Sequence, residues 1–108
     1  MVQNIMRLGL SLPSATQEDM RKLSFRRSAK AERQVTLSEL YTEAVTKLAA
    51  RIEGGEHIVF PVQPRGSVRR MTIRVPAEIV AHIDRYAPTC SKSAVVATAV
   101  QHLLQAEE

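Results

Sequence analysis

Arg70, Thr72 and Arg74 recur at every second position of the stretch RRMTIRVP, residues 69–76. In an extended chain that spacing puts all three side chains on one face. Each guanidinium offers a planar fork of N–H donors, suited to acceptors presented in pairs, and threonine adds a hydroxyl and a methyl. Met71, Ile73 and Val75 alternate with them and face a core, and Pro76 ends the run because it cannot donate to a ladder. Other residues capable of chemistry do not assemble into a site. His57, His82 and His102 are scattered with no second ligand at metal-binding spacing. No histidine has a nucleophile partner within a motif, and neither a phosphate loop nor a dinucleotide fingerprint is present. Cys90 is the single cysteine, which excludes an internal disulfide and a cysteine-based zinc site and reads as an inert thiol. The expectation is a protein without catalytic residues, metal or cofactor.

The elements that must hold those arginines occur twice. MRLGLSLP (6–13) alternates like RRMTIRVP and also stops at proline. With a shift of 63, Leu8, Leu10, Leu12 and Pro13 fall on Met71, Ile73, Val75 and Pro76, and Arg7, Gly9 and Ser11 on Arg70, Thr72 and Arg74. Downstream, TLSELYTEAVTKLAARI (36–52) predicts an amphipathic helix with Thr36 as N-cap and Glu39 completing a capping box. Its apolar stripe is Leu40, Tyr41, Ala44, Val45, Leu48 and Ile52. SKSAVVATAVQHLLQAE (91–107) predicts its counterpart, capped by Ser91, with Val95, Val96, Ala99, Val100, Leu103 and Leu104 as the stripe at a shift of 55. The coincident alanines suit two helices that cross closely.

A further helical stretch lies between strand and capped helix in each half. Residues 77–87 put Ile79, Val80, Ile83 and Tyr86 on one side, and Pro88 ends them. Residues 14–34 form the longer equivalent, with Met20 and Leu23 as core residues and six cations: Arg21, Lys22, Arg26, Arg27, Lys30 and Arg33. Gly54 and Gly55 stop the first unit, while Pro61, Pro64 and Gly66 forbid a helix in the connection, whose apolar IVFPV packs on the surface. The chain therefore reads as one α+β, mostly α domain over 1–108: repeat 1 (5–53), linker (54–67) and repeat 2 (68–106).

The composition fits packed helices. The chain of 108 residues is 44% hydrophobic but holds no Trp and only two Tyr and two Phe, so Leu, Ile, Val, Ala and Met must build the core. Fifteen Lys and Arg against eleven Asp and Glu give +4, which permits a polyanionic partner without demanding one. No run approaches the ~20 apolar residues that span a bilayer. The early LGLSL is too short for a signal sequence, so the expected setting is cytoplasmic and off the membrane.

A lone strand with two short helices leaves both strand edges unpaired and cannot bury its apolar faces. Two such units pair their strands antiparallel, 6–12 against 69–75, seat the apolar faces on four helices and relate the halves by a pseudo-twofold. The opposite face then displays Arg7, Gly9, Ser11, Arg70, Thr72 and Arg74. A two-stranded ribbon fits the major groove of B-form DNA, where arginine donates two hydrogen bonds to guanine.

This order and these motifs resemble the ribbon-helix-helix family, RRMTIRVPAEIVAHID matching its opening and SKSAVVATAVQHLL its second helix. The second half is the closer match; the first diverges through its longer first helix. The resemblance implies double-stranded DNA as partner, with Arg70, Thr72 and Arg74, and Arg7, Gly9 and Ser11, at base-reading positions. It implies phosphate held at the starts of the second helices, by Thr36, Leu37 and Ser38 in one half and Ser91, Lys92 and Ser93 in the other. Gly9 and Ser11 depart from the pattern, so the expected site is asymmetric. The tandem form in one chain is similar to accessory proteins of DNA transfer, acting at conjugative origins or T-DNA borders. That implies a monomer, with a relaxase or another transfer protein as a second partner. A transcriptional repressor of the same fold is one alternative. An antitoxin or protein-recruitment module without DNA reading is another, ranked lower because the chain runs only four residues past Leu104 and shows no wrapping tail.

Overall fold

The computed structural model describes residues 4–58, 60, 68–87 and 91–106. Pro61, Pro64, Gly66, Pro88 and Cys90, to which the sequence assigns breaks or an inert thiol, lie outside the described residues, as do Val59 and Val62 of the apolar linker. The order is β1 (Ile5–Pro13), α1 (Ser14–Ala31), α2 (Leu37–Glu53), β2 (Val68–Pro76), α3 (Ala77–Tyr86) and α4 (Lys92–Ala106). This is a mostly helical α+β fold with one two-stranded antiparallel sheet, a layout compatible with a ribbon-helix-helix arrangement.

Each strand ends in a proline that doubles as the helix cap. Pro13 (φ −56°, ψ 139°) and Pro76 (φ −57°, ψ 149°) have no side-chain capping bond, and α1 and α3 start at the next residue. Proline's fixed φ lets the chain turn from strand into helix without a loop. The register runs from Ile5 opposite Pro76 to Pro13 opposite Val68, with Gly9 opposite Thr72 at the midpoint. Ala77 N–H donates to Asn4 O at 2.9 Å, extending the ladder past Pro76. At the other end the Gln17 amide donates to Leu12 O (3.2 Å) and Arg69 O (2.9 Å), so one α1 side chain ties both strands together.

The alternation expected from the sequence sorts as predicted. Leu8, Leu10, Leu12, Ile73 and Val75 are buried, with Met71 half-buried against the same core. Every helix contributes to that core: Met20 and Leu23 from α1, the stripe of α2, Ile79, Val80 and Ile83 from α3, and Val95, Val96, Ala99, Val100 and Leu103 from α4. The α2 stripe curves toward Ala49, which is buried, and leaves Ile52 half-buried. Among the helices α2 packs most extensively on α4. Ala44 and Ala99 are both buried, in keeping with the close crossing expected of the coincident alanines. Ile58 and Phe60 of the linker pack against this core, and the Phe60 ring stacks on Tyr86 at 6.4 Å between centroids.

Two local expectations need correction. The longer helix stops at Ala31 rather than near 34, because Glu32 adopts a left-handed conformation (φ 56°, ψ 30°). The turn is then pinned to α1: the Ser24 hydroxyl donates to Val35 O (2.7 Å), and Val35 N–H donates to the Ser28 hydroxyl (2.9 Å). The capping box is only half formed. Thr36 Oγ1 accepts from Glu39 N–H at 3.2 Å, whereas the Glu39 carboxylate turns to Arg33 at 3.3 Å.

Candidate functional site

The outer face of the ribbon is built by register. Arg7 stands directly opposite Arg74, Ser11 opposite Arg70, and Gly9 opposite Thr72. Arg7, Gly9, Arg70, Thr72 and Arg74 are exposed and Ser11 is half-buried. Like charges directly opposite each other destabilise a strand pair. Neither strand contains an acidic residue, and among the described residues none of Arg7, Arg69, Arg70 and Arg74 makes an ion pair. The face is thus a short stripe of unneutralised guanidiniums held on a paired backbone, with room at its centre. A Cβ placed on Gly9 would meet nothing within 4 Å.

The start of α4 is joined to β1 through Ser93 and Ser11, and the start of α2 is its counterpart in the first half. At α2 the Thr36 hydroxyl takes the Glu39 N–H, and Leu40 N–H bonds Thr36 O at 3.2 Å. At α4 the Ser91 hydroxyl takes the Ala94 N–H (3.0 Å), and Val95 N–H bonds Ser91 O (3.2 Å). The first N–H groups of a helix have no intrahelical acceptor. Those left over are at Leu37 and Ser38 in α2 and at Lys92 and Ser93 in α4.

The side chains at these positions are more committed than the sequence suggests. Ser93 Oγ accepts the Ser11 backbone N–H at 2.9 Å, joining the first turn of α4 to β1. Lys92 Nζ lies 3.4 Å from Asp84 Oδ1, an exposed pair between the first residue of α4 and α3. Thr36 and Ser91 are caps first. Sequence reasoning missed the Ser93–Ser11 link because it joins positions 82 residues apart with no local signal.

The cations of α1 and of the turn after it divide in two. Arg27 pairs with Glu43 (3.0 Å) and Arg33 with Glu39 (3.3 Å), both neutralising acids on α2. Arg21, Lys22, Arg26 and Lys30 are exposed and make no ion pair among the described residues. Below the ribbon, Tyr41 is buried with its hydroxyl 3.7 Å from Met71 Sδ. Burial pushes that hydroxyl up to about 12, against a smaller opposing pull from the Arg21 guanidinium.

Among the described residues no three His, Cys, Asp or Glu side chains converge as a metal site, and no helix is long and apolar enough to cross a membrane. His102 Nδ1 sits 2.6 Å from Arg51 Nη1, a surface contact between α4 and α2. Comparison with known proteins identifies no family: no family model, curated protein or solved structure matches the chain.

Proposed function

We propose that this chain is a tandem ribbon-helix-helix protein that binds double-stranded DNA, with β1 and β2 entering the major groove. One observation carries the reading: Arg7 opposite Arg74 on an exposed, acid-free ribbon face. Such a pair costs stability in the free protein, and the negative potential of a DNA groove around the ribbon would remove that cost. In this reading a pseudo-twofold passes between Gly9 and Thr72, which stand opposite each other at the ribbon midpoint.

The division of labour is between reading and anchoring. Arg70, Thr72 and Arg74 read bases, while Arg7 with the short Gly9 and Ser11 reads fewer, so the preferred site is an imperfect palindrome. The N–H groups of Leu37, Ser38, Lys92 and Ser93, with the exposed Lys92 ammonium beside them, hold phosphates beyond the ribbon, where helix polarity favours an anion. Thr36 and Ser91 shape those turns as caps, and Ser93 fixes α4 to β1 through Ser11. No covalent step is required of any residue. The tandem form suits an accessory factor of DNA transfer, acting as a cytoplasmic monomer beside a relaxase, over a repressor assembled from single-unit chains.

A second reading, recruitment of a protein partner, is favoured by Phe25, which is 72% exposed on α1. Aromatic side chains, phenylalanine among them, are enriched at the centres of protein interfaces. The two readings separate in one titration. A pool of labelled random duplexes is followed by fluorescence anisotropy at two salt concentrations. The DNA reading expects tight binding that weakens steeply with salt. Absence of binding at low salt overturns it and leaves protein recruitment.

A further inference from the structure

Lys22, Arg26 and Lys30 recur every four residues along α1, so they form one ridge on its surface. All three are exposed and unpaired among the described residues. At ~1.5 Å per residue the ridge is about 12 Å long. One DNA strand carries a phosphate about every 3.4 Å along the axis, so this length spans roughly three to four phosphates. The ridge leads toward the start of α2. Lys30 lines a cleft of about 340 Å³ between the end of α1 and α2, beside Arg27 and Arg33, which are paired there with Glu43 and Glu39. Among the described residues α3 offers no equivalent: it has 10 residues against the 18 of α1, and its Arg85 is paired with Glu53 at 3.6 Å.

We infer that the Lys22–Arg26–Lys30 ridge is a phosphate clamp that extends the DNA footprint on one side only, beyond the half-site at the start of α2. This rests on the DNA-binding reading above. An acidic protein could also meet three cations, but the ridge ends beside the helix start that this reading already gives to phosphate, which favours the duplex. The clamp supplies affinity without base preference, and it orients the protein on its site. The strand richer in reading arginines belongs to one half and the cationic ridge to the other.

The test uses the intact chain on its preferred duplex with long flanks at both ends. The parent is expected to protect one flank further than the other from hydroxyl radicals. Trimming that flank should weaken binding, and trimming the other should not. The triple variant Lys22→Gln, Arg26→Gln, Lys30→Gln should lose the extra protection with unchanged base preference. It should also lower the slope of log affinity against log salt by about 2 to 3, at ~0.9 per phosphate contact. Symmetric protection and an unchanged slope, with the parent still binding, overturn the clamp and leave the DNA reading intact. Failure of the parent to bind any duplex at low salt overturns the DNA reading and the clamp with it. Flank trimming needs no substitution, so a variant that folds poorly would not blunt the result.

Discussion

Arg74 and Lys92 are both exposed cations that the DNA-binding proposal relies on, yet their surroundings predict opposite behaviour in the free protein. Arg74 faces Arg7 across the ribbon, so Arg74→Ala should leave thermal stability unchanged or raise it by a few tenths of a kcal/mol, about the scale of a relieved like-charge pair. The same change should cost ~1–3 kcal/mol of site affinity and relax base preference at one position. Lys92 is paired with Asp84 at 3.4 Å, both side chains half in solvent, a pair worth at most about 1 kcal/mol. Lys92→Ala should weaken binding to all sequences alike and flatten the salt slope by about 0.9. Thermal unfolding and anisotropy on the same two variants check both signs. If both variants bind like the parent, the ribbon is not the reading surface.

Tyr41 makes a residue-scale prediction of a different kind. Its folded-state pKa, pushed from 10.0 to about 12, lies above the unfolded value, so the folded chain keeps the phenolic proton longer. The associated stability is fully present below pH 10 and is lost as pH climbs through 12, a loss of roughly 2–3 kcal/mol for a shift of this size. Tyr41→Phe should therefore show a shallower fall in stability over that range. At neutral pH it should cost under about 1 kcal/mol, because a thioether is a weak acceptor. Denaturant unfolding of the two proteins at neutral pH and across the alkaline window gives the comparison, and parallel curves would refute it.

At the scale of elements, the ribbon and the first turn after α1 hold the two places where a residue sits poorly in its own structure. Gly9 is exposed in mid-strand with open space around its Cα. Gly9→Thr should stabilise the sheet by about 0.5–1 kcal/mol, through strand propensity and a cross-strand pair with Thr72. It also adds a hydroxyl to the outer face of the ribbon. Glu32 holds φ 56° at the end of α1, a region that costs a residue with a Cβ roughly 1–2 kcal/mol. Glu32→Gly should raise the melting temperature, and a β-branched Glu32→Val should lower it. These two sites also mark how far the sequence could be read. The strands were legible because period-two alternation and terminal prolines fix both face and register, and α2 and α4 because Thr36 and Ser91 precede clean stripes. The end of α1 was not, since Ala31, Glu32, Arg33 and Gln34 include no glycine or proline. The stop comes from Ser24 and Ser28 reaching Val35. The Gln17 clamp and the Ser93–Ser11 bond were illegible for the same reason: each joins residues with no local pattern between them.

For the whole molecule, the decisive feature is that one core is shared by all six elements. Leu10 of β1 and Leu103 of α4 are each 2% exposed and belong to the same buried cluster. Among the described residues β1 has only β2 as its ladder partner, and α2 packs chiefly on α4. Removing residues 68–106 would therefore strip the first half of its strand partner and its main helix contact at once. The chain should unfold in a single cooperative transition, with far-UV circular dichroism and tyrosine fluorescence coincident. Leu10→Ala and Leu103→Ala should each lower that same transition by ~2–5 kcal/mol, although the two lie in different halves. Because the pairing is internal to one chain, the midpoint should also be independent of protein concentration, whereas strand pairing between two chains would raise it with concentration by mass action. Two resolved transitions, with Leu10→Ala moving only one of them, would show halves that fold separately. A concentration-dependent midpoint would show that the ribbon is completed between molecules, and the phosphate anchors would then have to be counted per dimer.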